Sequence, residues 1–108
     1  MGNCYKANAN KILWDAKFQD AVLIHGVVKN GKDNKPMGHC WIELDGVCYD
    51  FSNNKEWEVK KAVYYIAGWI NTYQAGGYTN YKYTKKQVQE NILTIGHWGA
   101  WEDTGCQR

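Results

Sequence analysis

The sequence predicts an α+β domain, and three observations carry that expectation. Two strand-like runs flank Asp45-Gly46, the strongest short hairpin signal. Val59, Ala62, Val63, Ile66, Ala67 and Ile70 recur at helical spacing. Thr84 and Gln87 form a capping box ahead of Val88, Ile92 and Ile95, with Gly96 closing that helix. At 108 residues the chain (1–108) is long enough for one core and too short for two.

The elements follow in order. Asn3 is a suitable N-cap for a helix over Cys4–Ala16, with Tyr5, Ala9, Ile12 and Ala16 at helical spacing. Ala21–Val28 is β-branched and reads as a largely buried strand. Lys29–Gly38 is a polar loop holding the single proline. The hairpin around Asp45-Gly46 comes next, then the helix that starts near Val59. Tyr81–Tyr83 is a short strand before the capped helix. Residues 96–108 are an aromatic tail without periodicity, most simply folded over the core. Cys106 lies in that tail, which is read as mobile, and is incidental to function.

Composition excludes several classes. Thirteen basic residues against eleven acidic ones give a net charge of +2, and the lysines are scattered rather than gathered into a stripe. Nothing in that distribution points to nucleic acid. No run approaches the roughly eighteen apolar residues of a membrane span, and no secretory signal is present. The expected location is therefore the cytoplasm, with the four cysteines reduced. Six Trp and eight Tyr can fill a small core, but the same rings also line ligand sites and interfaces.

A two-residue loop at Asp45-Gly46 fixes the strand register. Leu44 then faces Val47, Ile42 faces Tyr49, and Cys40 faces Phe51, making one apolar face that is expected to be the core side. The other face pairs Glu43 with Cys48, Trp41 with Asp50, and His39 with Ser52. His39 and Asp50 become diagonal neighbours about 7–8 Å apart at the backbone, a gap that an imidazole and a carboxylate can close.

That pair bears on Cys4, which has three readings. A lipid anchor beginning at Gly2 wants Ser or Thr where Lys6 stands, and no basic cluster supplies a second signal. A buried structural cysteine is the bland reading. The third is a nucleophile at a helix start, where the dipole and a nearby imidazolium both favour a thiolate. An Asp holding one ring nitrogen fixes the His tautomer. A Cys4/His39/Cys48 metal site matches no zinc spacing, so neither metal nor cofactor is expected. His25, on the neighbouring strand, either abuts the site or is packed. Trp41 is either a lid over the site or packing.

The segments "GNCYKA" and "GHCWIELDGVCYDFS" resemble the Cys…His-x-Trp-x-Glu…Asp pattern of papain-like and transglutaminase-like proteins. Over nearly the whole chain there is also a resemblance to small phage and bacterial proteins sharing the Cys-Tyr-x-x-Ala start and a terminal "HWG-W". The resemblance implies a minimal papain-like domain, with the N-terminal helix on a small antiparallel sheet and two further helices. It implies Cys4 as nucleophile, His39 as general base and acid, and Asp50 as orienter. Cys40 stands where the pattern has a small Ala. Only three residues precede Cys4, so a second oxyanion donor must come from elsewhere, with Trp41 and Asn53 as candidates.

The expected function is a cysteine hydrolase or acyltransferase acting on a peptide bond or a glutamine side chain in a cell cytoplasm, plausibly a host's during phage infection. A binding protein on the same fold, blocking a host factor or sequestering a nucleotide signal, is the alternative, since Trp and Tyr are favoured interface anchors. Autocatalytic maturation exposing Cys4 as an N-terminal nucleophile is a third option.

Overall fold

A computed structural model describes residues 3–106. Helix α1 (Cys4–Trp14) is followed by a 3-10 turn (Ala16–Phe18) and strands β1 (Val22–Lys29), β2 (Pro36–Leu44) and β3 (Val47–Asp50). A second 3-10 turn (Ser52–Asn54) leads to β4 (Trp57–Lys60), α2 (Lys61–Ala67), α3 (Ile70–Ala75), β5 (Tyr81–Thr84) and α4 (Lys85–Ile95). The five strands form one antiparallel sheet in the order β4-β3-β2-β1-β5. The architecture is α+β.

The hairpin forms in the expected register, with Ile42 opposite Tyr49, Glu43 opposite Cys48 and Leu44 opposite Val47. Asp45 and Gly46 both take positive φ, at 51° and 78°, as a tight primed turn requires. The capping box is complete: the Gln87 backbone N–H donates to Thr84 Oγ1, and the Thr84 N–H donates to Gln87 Oε1. Asn3 occupies the N-cap of α1 but makes no side-chain capping bond.

The expected helix over Val59–Ile70 is corrected in two ways. Its first residues form β4 instead, because Trp57 and Val59 alternate beside the otherwise open edge of β3, and Cys48 pairs with Val59. The rest is broken at Gly68 and Trp69, whose φ of 55° is left-handed, so α2 and α3 are separate helices. Three helices therefore follow α1 rather than two.

Both faces of the sheet are covered, which corrects the single-core expectation. Ala9 and Ile12 of α1 and Val88 of α4 bury the face bearing Leu23, Cys40, Ile42 and Tyr49. Ile70 of α3 buries the opposite face with Ile24, Val28, Trp41 and Cys48. Gly26 is required under that second layer: a Cβ there would lie 2.8 Å from Trp41 Cη2 and 2.4 Å from Asn80 Oδ1.

The described part of the tail, residues 96–106, is packed rather than loose. Trp98 and Trp101 lie against the first core, the Tyr81 hydroxyl donates to the Asp103 carbonyl at 2.9 Å, and Thr79 N–H donates to the Thr104 carbonyl at 3.0 Å. Cys106 is half-buried, its sulfur 3.3 Å from the Pro36 carbonyl oxygen. Among the described residues, no helix is long and apolar enough to cross a membrane.

Candidate active site

The site grows from the way the hairpin ends. Strand β3 stops at Asp50 and the chain turns away through Ser52–Asn54, so the start of β2 runs on past its partner. His39 lies on that overhang, one strand position outside the last core residue, Cys40. Its Nε2 stands 2.7 Å from Asp50 Oδ2. Helix α1 approaches from the first core face and sets Cys4 at its first turn, where N–H groups have no intrahelical acceptor. Cys4 and His39 line one groove of about 1000 Å³, together with Ser52, Asn53 and, from the tail, Ala100, Glu102, Asp103 and Thr104. The structure thus brings together the three residues Cys4, His39 and Asp50.

Asp50 is held by five donated hydrogen bonds. Oδ1 accepts from Ser52 N at 3.0 Å, Ser52 Oγ at 2.8 Å and Asn8 Nδ2 at 3.2 Å. Oδ2 accepts from the Tyr64 hydroxyl at 3.2 Å as well as from His39. Burial opposes ionisation, yet the His39 and Ser52 bonds and the His39 charge keep the carboxyl well below its usual range. His39 shows the complementary behaviour. Burial works against its charge, but the Asp50 and Cys4 side chains, by hydrogen bonding and by charge, raise it from 6.5 to about 9. With Nε2 on Asp50, Nδ1 is the ring nitrogen through which Cys4 acts.

The surroundings keep the site in that state. Burial first, then the Cys4 and Asp50 charges, push the Cys40 thiol far up, so it backs the site as a neutral sulfur. Burial and the neighbouring Asp50 likewise keep the Tyr64 phenol a protonated donor. The indole of Trp41 stacks on the His39 ring, 6.2 Å between centroids and 26° between planes.

The remaining candidates separate. Trp41 is fully buried and its Nε1 donates to Glu43 Oε2 at 2.9 Å, so the indole is neither a lid over the groove nor an oxyanion donor. The Glu43 carboxylate also receives the Tyr65 hydroxyl and pairs with Lys61 at 3.3 Å, which anchors it away from the groove. Asn53 lines the same groove as Cys4. His25 does not; it is wholly buried among the rings of Tyr5, Tyr83 and Trp101, and neither ring nitrogen has a partner. Burial lowers it from 6.5 to about 4, so it is neutral packing. Cys48 lies against Glu43, its sulfur 3.9 Å from Oε2, and among the described residues no group of three His, Cys, Asp or Glu is placed to hold a metal ion.

Sequence reasoning missed Asn8. This fully buried carboxamide reaches Cys4 O and Cys40 O at 3.0 Å each, as well as Asp50. The available signal was a lone polar residue one turn after Cys4, inside the apolar stripe of α1. Tyr64 was missed as well, since nothing local ties it to Asp50; Ser52, two residues after Asp50, carried a local signal in the Asp-x-Ser turn it forms.

No family model, no curated protein and no solved structure matches the chain.

Proposed function

We propose that this chain is a cysteine-dependent hydrolase or acyltransferase of the papain-like and transglutaminase-like kind, acting on the amide of a peptide or a glutamine side chain. The observation that carries the reading is the 2.7 Å bond from His39 Nε2 to Asp50, which turns the other ring nitrogen toward a cysteine on the same groove.

The chemistry follows from that arrangement. An imidazolium beside the sulfur stabilises the Cys4 thiolate, which adds to the amide carbonyl carbon. The oxyanion that forms is met by first-turn N–H groups of α1 and by the Asn53 side chain. His39 passes its Nδ1 proton to the departing amine as the C–N bond breaks, leaving a thioester on Cys4 and a neutral ring. Water or a second amine then gives its proton to His39 while attacking the thioester, releasing an acid or a new amide. Asp50 stays ionised throughout and holds the ring in place.

The test is turnover of peptidyl anilides and of glutamine amides, read by released aniline or ammonia. Wild type should turn over one class, and Cys4→Ser should lose it while keeping the same melting temperature. Equal turnover by Cys4→Ser contradicts the proposal.

A second reading has its own support. Val63 and Ile66 of α2 expose apolar side chains, and α2 buries no residue fully. A non-catalytic binding protein, such as a phage protein blocking a host factor, would use that surface. Its anchors would be these residues rather than Trp98 and Trp101, which pack against the core. Binding unaffected by Cys4→Ser but lost in Ile66→Glu supports this second reading.

A further inference from the structure

We propose that Asn8 is a positioning residue that sets the Cys4–His39 geometry by bonding at once to Cys4, to Asp50 and to Cys40, the residue after His39; this rests on the proposed chemistry of Cys4. The carboxamide touches the nucleophile's own carbonyl, the carbonyl of the residue after His39, and the side chain of Asp50. Its Oδ1 accepts the N–H of Phe51 at 2.9 Å, the residue after Asp50. Two N–H bonds are shared among three acceptors, so one is bifurcated and no polar atom of the side chain is left over.

The connection is the significant feature. Cys4 belongs to α1, His39 to β2 and Asp50 to β3; β2 and β3 are joined by the hairpin ladder and the His39–Asp50 bond, whereas α1 meets them largely through apolar packing, which tolerates small slides. Directional bonds do not. Ser52 and Tyr64 also hold Asp50, but no bond joins either of them to Cys4 or Cys40. Asn8 ties the nucleophile's helix by directional bonds to both the strand of the base and the side chain of its orienter. A residue serving only to fill the core would be apolar at this position, since an amide buried without partners is costly. Reacting groups displaced by about 1 Å lose on the order of 10²-fold in rate.

The test is the rate of Cys4 carboxamidomethylation by iodoacetamide from pH 4 to pH 9, compared in magnitude at pH 6 and resolved by peptide mass spectrometry, in wild type, His39→Ala and Asn8→Leu. Leucine fills much of the volume without the bonds. The expected result is a loss of about tenfold or more in Asn8→Leu, with its rate profile moved toward that of an ordinary thiol. A folded Asn8→Leu protein with the wild-type profile overturns the proposal. Should that variant fail to fold, the wild-type Asn8 side-chain amide protons decide by NMR. Side-chain amide protons protected from solvent exchange, with shifts that move when Cys4 is alkylated, support the role. Rapidly exchanging protons indifferent to alkylation overturn it. The two levels of failure are distinct. If wild-type Cys4 has no His39-dependent reactivity, the proposed chemistry fails and takes this role with it. If that reactivity exists and survives in Asn8→Leu, only the positioning role fails.

Discussion

His39 Nε2 and Asp50 Oδ2 stand 2.7 Å apart, and the bond between them decides which ring nitrogen meets the groove. Because the imidazole is raised to about 9 chiefly against its own burial, its charge depends on Asp50. In Asp50→Asn the His39 titration, followed by NMR of the ring protons, should fall by at least one pH unit. A midpoint unchanged from wild type would show that Asp50 does not sustain the charge.

The same pair sets a pH window for stability. His39 is raised above its ordinary 6.5, so its contribution is fully present below about 6.5 and is lost as pH rises toward about 9. Asp50 is depressed, so its contribution is present above the usual carboxylate range and is lost on acidification. Urea denaturation should therefore show the advantage of wild type over His39→Ala shrinking between pH 6.5 and pH 9. A constant difference across that interval contradicts the linkage.

His25 predicts a different pH dependence. Its value is lowered to about 4 by burial, so the unfolded chain binds a proton that the folded one refuses between pH 6.5 and pH 4. Folding therefore weakens on acidification through this residue. His25→Phe keeps a ring among Tyr5, Tyr83 and Trp101 and removes two unpartnered nitrogens. Its stability relative to wild type should rise by about 1 kcal/mol or more at pH 5, and by less at pH 8. Denaturation midpoints at the two pH values check this; a larger gain at pH 8 contradicts it.

The hairpin and its consequences were legible because a two-residue turn leaves one register, and that register alone juxtaposed His39 with Asp50. The start of α1, the strand around His25 and the Thr84 capping box were legible for the same reason, each resting on contacts a few residues apart. The Val59–Ile70 helix was misread because alternation and helical spacing coincide over Trp57–Lys60, and only the open edge of β3 decides between them. The buried role of Trp41 was hidden because a second layer, brought by Ile70 of α3 from far downstream in the chain, covers a face that the local pattern leaves open to solvent. Asn8 reaches Asp50 across a separation of 42 residues, beyond any periodicity.

Trp41 and Asn53 were equal candidates for the oxyanion, and the structure separates them. Trp41→Phe removes the bond to Glu43 and should cost about 1–3 kcal/mol of stability, read by denaturant unfolding, with turnover per folded molecule largely kept. Asn53→Gly, which keeps the left-handed backbone at φ 57°, should keep stability and lower kcat by about 10²–10³. The opposite assignment of the two losses contradicts the proposed donor.

Gly26→Ala tests the layer beneath the site. The added methyl meets Trp41, which stacks on His39, and a loss of about 1–3 kcal/mol in denaturant unfolding is expected. A neutral result would mean that the Trp41 layer yields freely.

The most direct measurement is the alkylation rate of Cys4 by iodoacetamide from pH 4 to pH 9, in wild type and His39→Ala, with each cysteine resolved by mass spectrometry. An ordinary thiol gains reactivity only as pH nears about 8.5. The account predicts fast Cys4 alkylation well below that value in wild type, lost when His39 is removed. Slow alkylation of Cys4 throughout, or a profile indifferent to His39, would contradict it.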